Sequence, residues 1–194
     1  TIVLKNTIRA LRKNGHKIVM YAPGSMKTKK ENQDDDVHYH LSWSFPLYEQ
    51  YRLSILPFLD FNGFFKEKFD IIHSHGIATE GLTAILFSKI FGVPCAVTYH
   101  TNMDFLSHYI AFGNKNLDAL MKKIIMKYTT WHLKRFDMVI VPSQKTKEKL
   151  EKSGIEAKVL PTFIDKTTFY PRKRKKSKKL KILSVGRVVK EKNF

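Results

Sequence analysis

Two basic residues follow a glycine near the end of the chain. The apolar run Ile182 to Val185 predicts a strand that leads into Gly186 and Arg187, and Lys192 follows five positions after Arg187. Glycine lets a ligand approach the backbone closely, and two basic head groups can neutralise one anionic group between them. The pattern therefore indicates a site for an anionic group. A basic surface turn is the alternative, because motifs this short often match by chance.

Polar residues also end three of the predicted strands. These strand ends are His73-Ser74-His75-Gly76, Thr98-Tyr99-His100-Thr101 and Pro142-Ser143. In open α/β sheets, ligands bind beyond the carboxyl ends of the strands, so these side chains are candidates for binding. His100 closes an otherwise apolar strand and is the strongest candidate for contacting a ligand. The alternative is a hydrogen-bonded imidazole at the edge of the core.

Histidine and cysteine are the residue types that could supply metal ligands or a nucleophile. His73 and His75 lie two positions apart on one strand face, but no third ligand is spaced to complete a metal site, so no metal is expected. His73 is interpreted as a packing residue. Cys95, the single cysteine, lies in an apolar strand and is interpreted as an inert packed thiol in a reducing compartment.

The elements that position these residues alternate between strands and helices. Strands are predicted at 16–22, 37–43, 69–76, 93–101, 137–143 and 157–165. Helices are predicted at 1–14, 78–92, 102–113, 114–136 and 146–154, and one helix or two short ones are predicted from about 52 to 69. The predicted helix stops are Gly15, Gly92 and Gly154, and Ser143 is a predicted N-cap. Residues 22–36 are predicted to form a loop. This alternation predicts an α/β fold with a doubly wound parallel sheet.

Two of these helices carry prominent apolar residues. In helix 78–92 the apolar residues on or beside one stripe are Leu82, Ile85, Leu86 and Ile90. In the long helix, basic residues are interleaved with Leu117, Leu120, Met121, Ile124, Ile125, Tyr128 and Trp131. Such a helix can lie on an anionic bilayer or pack its apolar stripe on the sheet, and packing is the preferred interpretation.

Positive charge is distributed unevenly along the 194 residues. The net charge is +18, and residues 166–194 contain 12 Lys or Arg against one acid, Glu191. The densest run, 171–181, has the composition of a solvated linker between domains, although such a run can also bind nucleic acid or an anionic membrane. With 43% hydrophobic residues the chain can bury one sizeable domain, and no apolar run is long enough to span a bilayer.

Both ends of the sequence are expected to be incomplete. A helix comes first, although a parallel sheet built from βα units opens with a strand, and the sequence stops soon after Arg187. We therefore expect a fragment, and no targeting segment can be assigned.

Six segments, taken in order, resemble the retaining glycosyltransferases of family four, which have the GT-B fold. They are GHKIVMYAP (15–23), FDIIHSHG (69–76), VPCAVTYHT (93–101), DMVIVPSQKTKEKLEKSGI (137–155), VLPTFIDKTTFYP (159–171) and SVGRVVKEKNF (184–194). Each segment alone is a weak signal, but six in the family's order are specific. The run FPLYEQYRLSILPF (45–58) also resembles the diacylglycerol glucosyltransferase branch.

The resemblance implies two Rossmann-like domains that face each other across a cleft. Residues 1–165 would form the N-terminal half of the GT-B fold, which holds the acceptor. Residues 166–180 would form a basic interdomain linker. Residues 181–194 would begin a C-terminal domain that binds the substrate, a UDP- or GDP-sugar. No covalently bound cofactor is implied.

The same resemblance implies roles for individual residues. His100 would contact the donor sugar, and Gly186, Arg187 and Lys192 would stabilise the departing diphosphate, on which negative charge grows as the glycosidic bond breaks. The candidates on the acceptor side are His75, Thr101 and Ser143. Phe163 departs from the family's pattern, since glycine usually stands there, and the family's glycine-rich first loop is missing.

The implied reaction is the transfer of a sugar, with retention, to a lipid or glycan acceptor. An anionic membrane surface is a further implied partner, nucleic acid is not, and the expected location is the cytoplasm, peripheral on the inner face of the cell membrane. Two alternatives stay open. One is a polyanion or nucleic-acid binding protein that acts through the basic segment, and the other is a non-catalytic, membrane-associated relative.

Overall fold

The structure, a computed structural model, describes residues 2–24, 37–45, 48–54, 68–100, 107, 114–162, 164, 169–170 and 182. Contacts divide the chain into two units, Thr1–Thr162 and Phe163–Phe194, and the elements named here lie in the first. In chain order they are α1 (Ile2–Lys13), β1 (Met20–Gly24), β2 (Val37–Phe45), β3 (Tyr48–Ser54), β4 (Ile72–Ser74), α2 (Thr79–Phe91), β5 (Cys95–Thr98), α3 (Lys115–Leu133), β6 (Met138–Val141), α4 (Gln144–Glu151) and β7 (Lys158–Val159).

Four strands form a parallel sheet in the order β4-β5-β6-β7. The connections between successive strands contain α2, α3 and α4, so every strand of this sheet points the same way. Val97, Leu133, Val141 and Leu150 are at most 2% exposed in the core between the sheet and its helices. Burying each of these side chains contributes roughly 1.5–3 kcal/mol. The predicted α/β class and parallel sheet are confirmed.

A second sheet holds the first three strands. Strands β1 and β2 pair in parallel, whereas β2 and β3 pair antiparallel. The predicted helix from about residue 52 is therefore wrong for residues 52–54, which belong to β3. Arg52 donates hydrogen bonds to the hydroxyl and the carbonyl of Ser42 on β2, at 2.9 and 3.0 Å. These contacts and the strand pairing outweigh the helical pattern. Residues 55–67 lie outside the described residues.

The predicted helix ends are largely confirmed. Gly15, Gly92 and Gly154 have φ angles of 85°, 66° and 69°, a left-handed conformation that favours glycine. Ser143 caps α4 by accepting a hydrogen bond from the Thr146 N–H. Most strands are shorter than predicted, and β1 begins at Met20 rather than at residue 16. The predicted loop within 25–36 and the predicted helix 102–113, apart from Ser107, lie outside the described residues.

Helices α2 and α3 bury faces other than the apolar stripes. In α2, Ile85 is buried, but Leu82, Leu86 and Ile90 are 40–54% exposed. In α3 the buried residues are Thr129, His132 and Leu133. The exposed apolar residues of α3 are Leu117, Leu120, Ile124, Tyr128 and Trp131. The expectation that this stripe packs on the sheet is wrong for these five residues. None of the helices in the described part of the chain combines the length and apolar character needed to cross a membrane.

The contact between α2 and α3 explains why these faces are buried. A methyl group on Gly81 of α2 would lie 2.5 Å from Nε2 of His132 on α3 and 2.6 Å from the carbonyl oxygen of Gly76. His132 is fully buried, and within the described residues neither of its ring nitrogens has a hydrogen-bond partner. The ring therefore serves as a flat packing surface. The missing side chain of Gly81 allows the helices to approach at this point.

Cys95 lies at the amino end of β5 and is 2% exposed. Its N–H donates to the Asp137 carboxylate at 2.7 Å, and the Asp137 N–H donates to the Cys95 carbonyl at 2.9 Å. Burial, reinforced by the charge of Asp137, raises the pKa of the Cys95 thiol to about 12. The prediction of a packed thiol is confirmed by this burial, and the raised pKa disfavours the reactive thiolate.

Replacing Gly81 by alanine is expected to destabilise the protein by about 1–3 kcal/mol, because the added methyl group collides with His132 and a backbone carbonyl. Urea unfolding measures the change. Gly76→Ala is the matched control, since the nearest atom to its added methyl group is 4.0 Å away. A Gly81→Ala variant as stable as Gly76→Ala would show that the two helices are not in close contact.

Candidate functional site

Three histidines meet where two neighbouring strands of the parallel sheet end. Strand β4 pairs with β5 so that Ser74 lies opposite Val97. His75 follows the end of β4, and His100 follows β5 by two residues. Because parallel strands present their carboxyl ends at one edge of the sheet, this pairing brings the histidines together. The predicted positions of His75 and His100 at the strand ends therefore form one cluster with His73.

The three imidazole rings stack on one another. The centroids of the His73 and His75 rings are 4.4 Å apart, and those of His75 and His100 are 5.4 Å apart at an interplanar angle of 13°. Nδ1 of His75 and Nε2 of His100 form a hydrogen bond of 3.1 Å. Nε2 of His73 bonds to the hydroxyl oxygen of Thr98 at 2.7 Å. His73 thus bonds to the neighbouring strand of the sheet, whereas His75 and His100 bond to each other.

Short hydrogen bonds hold the turn that carries His75. The hydroxyl of Ser74 donates to the Gly76 carbonyl at 2.7 Å and accepts from the Gly76 N–H at 3.3 Å. The hydroxyl of Tyr128 on α3 donates to the carbonyl of Ile77 at 2.9 Å. These bonds tie the turn to the strand before it and to the helix beside it. His75 therefore stands on a supported backbone.

The environment of the cluster disfavours protonation. Partial removal from water lowers the pKa of all three imidazoles, and repulsion within the cluster adds to this for His73 and His75. The pKa of His75 falls to about 4. At neutral pH the rings are uncharged, so each offers one N–H donor and one nitrogen acceptor. Such a pair suits recognition of hydroxyl groups better than binding of an anion.

The structure describes only one of the remaining predicted site residues, Ser143. Ser143 follows β6 at the same edge of the sheet, and its side chain caps α4. Thr101, Gly186, Arg187 and Lys192 lie outside the described residues, so their predicted roles stay predictions. Within the described ranges, no group of three His, Cys, Asp or Glu side chains could hold a metal ion.

Glu80 is a candidate site residue that the sequence pattern did not identify. This residue lies in the first turn of α2, and its Oε2 atom is 4.0 Å from the position that a methyl group on Gly76 would take. Its carboxylate accepts a hydrogen bond from Ser54 of β3. The sequence signal that could have identified it is an acidic residue in the first turn of the helix that follows the His-x-His strand. Its partner could not be found, because Ser54 fell in a segment predicted to be helical.

The sequence of this chain is similar to those of known proteins. The sequence profile described as Glycosyltransferase Family 4 matches residues 1–168. The chain is also similar to an alpha-monoglucosyldiacylglycerol synthase of Streptococcus pneumoniae (strain ATCC BAA-255 / R6), with 27% identity over 175 residues. The similar region covers 82% of this chain and 36% of that relative. The chain thus spans little more than a third of the length of the relative that it matches.

The stability of the protein is expected to fall as the pH is lowered from about 6.5 to about 4. The pKa of His75 is about 4 in the folded protein, against an ordinary value of 6.5, so the unfolded chain binds more protons within this window. Protonation therefore favours unfolding, and the effect is absent above the ordinary pKa. His73, His100 and His132 also have lowered pKa values and act in the same direction.

The measurement is the free energy of urea unfolding at a series of pH values between about 7 and about 4. A His75→Asn variant removes one contributor, so its stability is expected to depend less on pH than that of the unmodified protein. Carboxylates also titrate near the acid end, and the comparison of the two proteins cancels their contribution. Equal pH dependence in both proteins would contradict the lowered pKa.

Proposed function

Because this chain belongs to glycosyltransferase family 4, we propose that the full-length protein transfers a sugar, with retention, from a nucleotide-sugar donor to a lipid or glycan acceptor. The observation that carries the proposal is the neutral His75–His100 pair at the carboxyl edge of a parallel sheet, the edge at which α/β proteins bind ligands. A sugar presents hydroxyl groups, and uncharged imidazoles can both donate hydrogen bonds to hydroxyls and accept them.

His100 contacts the donor sugar in this proposal. Its bond to His75 uses Nε2, which leaves Nδ1 for a ligand. His75 fixes the orientation of the His100 ring by that bond and by stacking. A ring held in one orientation loses less entropy when it binds a ligand, which favours a role for the pair in positioning the sugar.

Arg187 and Lys192 stabilise the diphosphate leaving group in this proposal. Negative charge grows on the diphosphate as the bond to the sugar breaks, so fixed cations lower the energy of the transition state more than that of the ground state. Gly186 lets the diphosphate approach the backbone. A UDP- or GDP-sugar supplies this group. The support for these roles is the sequence pattern, since the three residues lie outside the described residues.

A lipid acceptor is favoured over a soluble glycan. The similar S. pneumoniae protein is by its name a synthase of a glucosylated diacylglycerol. On the acceptor side we propose contacts from His75 and Thr101, with Ser143 nearby at the end of β6. A single buried thiol fits a reducing compartment, so we place the protein in the cytoplasm, at the inner face of the cell membrane.

The exposed face of α3 supports contact with an anionic membrane. Five apolar residues, spaced three or four positions apart, lie on one side of the helix and are 37–53% exposed: Leu117, Leu120, Ile124, Tyr128 and Trp131. Lys123, Lys127 and Lys134 are also exposed. The guanidinium of Arg135 lies 3.7 Å from the centre of the Trp131 ring. Apolar and basic groups together favour binding at the surface of a bilayer that carries negative charge.

Replacing His100 or Arg187 by alanine is expected to lower kcat by about 100-fold or more, because each change removes a contact to the reacting sugar or its leaving group. The assay follows sugar transfer from radiolabelled UDP-glucose and GDP-sugars to diacylglycerol in mixed micelles. His16→Ala is the control, since His16 precedes β1 and so lies toward the amino end of the strands. Full activity in the His100→Ala or Arg187→Ala protein would reject the role of that residue.

Charge introduced on the exposed face of α3 is expected to weaken membrane binding by about 10-fold or more, because it removes apolar contact and repels anionic lipid. Flotation with vesicles of phosphatidylglycerol and phosphatidylcholine compares Ile124→Glu with Ile90→Glu. Ile124 on α3 is 51% exposed and Ile90 on α2 is 54% exposed, so the two changes are matched in type and exposure. Equal loss of binding in both variants would show that α3 is not the contact surface.

A further inference from the structure

Three polar side chains from separate elements form a chain of hydrogen bonds that ends at the first turn of α2. Nε2 of His40, on β2, lies 2.6 Å from the hydroxyl oxygen of Ser54, on β3. That hydroxyl donates to Oε1 of Glu80, in the first turn of α2, at 2.5 Å. Since the hydroxyl has a single hydrogen, Ser54 must accept from His40, and Nε2 of His40 therefore carries the N–H. The chain of donors runs from His40 through Ser54 to the carboxylate.

The direction of these bonds excludes a nucleophilic role for Ser54. In a serine nucleophile the hydroxyl donates its hydrogen to an imidazole, which takes the proton as the bond to the substrate forms. Here the hydroxyl donates to a carboxylate, and the imidazole is a donor. Ser54 is also only 4% exposed, so a substrate has no access to it. The arrangement serves to hold Glu80 in place.

Burying polar side chains is unfavourable unless they are hydrogen-bonded, and a connected chain of such bonds fixes the geometry of its members. His40 and Ser54 are 6% and 4% exposed. Ser54 bonds to Oε1 of Glu80, and His40 bonds to Ser54. Two strands of the smaller sheet thereby determine the position of a side chain on α2. Hydrophobic side chains of similar size could fill the positions of His40 and Ser54, but they would not hold the Glu80 carboxylate in place.

The other carboxylate oxygen of Glu80 lies near the turn that follows His75. Oε2 of Glu80 lies 4.0 Å from where a methyl group on Gly76 would stand, and Gly76 follows His75. Glu80 is partly exposed, so a ligand can reach it. Helix α2 starts after the carboxyl end of β4, which places Glu80 at the same edge of the sheet as His75 and His100. A carboxylate oxygen at this edge is an acceptor for a hydroxyl hydrogen.

We propose that Oε2 of Glu80 binds a hydroxyl group of the substrate, and that Ser54 and His40 are positioning residues that hold the carboxylate for this contact. This inference rests on the proposed function, because both the transferred sugar and the acceptor present hydroxyl groups. Hydrogen bonds to a charged acceptor are stronger than those between neutral groups, so one such contact affects substrate affinity measurably. The hydroxyl comes from either substrate, and kinetics with each substrate varied in turn identify its source.

The test compares the KM for the sugar nucleotide and the KM for diacylglycerol in the full-length protein and its Glu80→Gln variant. Glutamine keeps the size of the side chain and an oxygen for Ser54, so the fold is retained, but it removes the charge. One of the two KM values is expected to rise about 10-fold or more. A rise for diacylglycerol assigns the hydroxyl to the acceptor, and a rise for the sugar nucleotide assigns it to the donor.

The positioning role of Ser54 is tested by a double-mutant cycle. Ser54→Ala is expected to raise the same KM, and the protein with both Ser54→Ala and Glu80→Gln is expected to resemble Glu80→Gln alone, because Ser54 acts through Glu80. Ser42→Ala is the matched control. Ser42 is a 7% exposed serine on β2 whose hydroxyl donates to the Gly24 carbonyl at 2.8 Å rather than to Glu80. This control loses stability but keeps both KM values.

Each outcome has a distinct meaning. If the unmodified protein transfers sugar and Glu80→Gln keeps both KM values, the contact from Glu80 is refuted and the proposed function stands. If the effects of Ser54→Ala and Glu80→Gln simply add, Ser54 does not act through Glu80. If Ser42→Ala raises the same KM as Ser54→Ala, the effect is a general loss of packing and the positioning role fails. If the unmodified protein transfers no sugar from any donor, the proposed function fails, and this inference fails with it.

Discussion

The parallel pairing of β4 with β5 is the constraint on which the candidate site depends. Pairing in the same direction places the carboxyl ends of both strands at one edge, and the register that sets Ser74 opposite Val97 brings His75 and His100 within hydrogen-bonding distance. A shift of one residue would turn the side chains of one strand to the opposite face and separate the two rings. The buried core beneath the sheet resists such a shift, because Val97 is completely excluded from solvent.

Helix α3 contacts the turn that carries His75 and also exposes a row of apolar residues to solvent. Its inner side packs His132 against Gly81, and its Tyr128 hydroxyl holds the carbonyl of Ile77, beside the turn that carries His75. Its outer side exposes apolar residues between lysines. If α3 packed its apolar stripe inward, His132 could not pack against Gly81 and the apolar residues would not be exposed. The close approach at Gly81 decides which side is buried, since only a residue without a side chain allows the His132 ring to lie so near the backbone.

The smaller sheet contributes to the same edge of the protein through polar contacts. His40 and Ser54 lie on strands that pair with each other and are hydrogen-bonded to one another, and the Ser54 hydroxyl reaches α2 through its bond to Glu80. The family match covers both sheets, because it extends over residues 1–168. Membership of the family accounts for the α/β architecture of this domain.

The sequence alone determined the features that depend on local pattern. Alternating strands and helices predicted the α/β class, and left-handed glycines and the Ser143 cap marked helix ends, because these signals act within a few residues. The same reasoning placed His75 and His100 at strand ends. Tertiary structure decided the rest. Antiparallel pairing with β2 made residues 52–54 a strand, and contact between helices chose the buried faces of α2 and α3. The link from Ser54 to Glu80 spans 26 positions, and no local pattern specifies it, because the two residues meet only when a strand of one sheet packs beside a helix of the other.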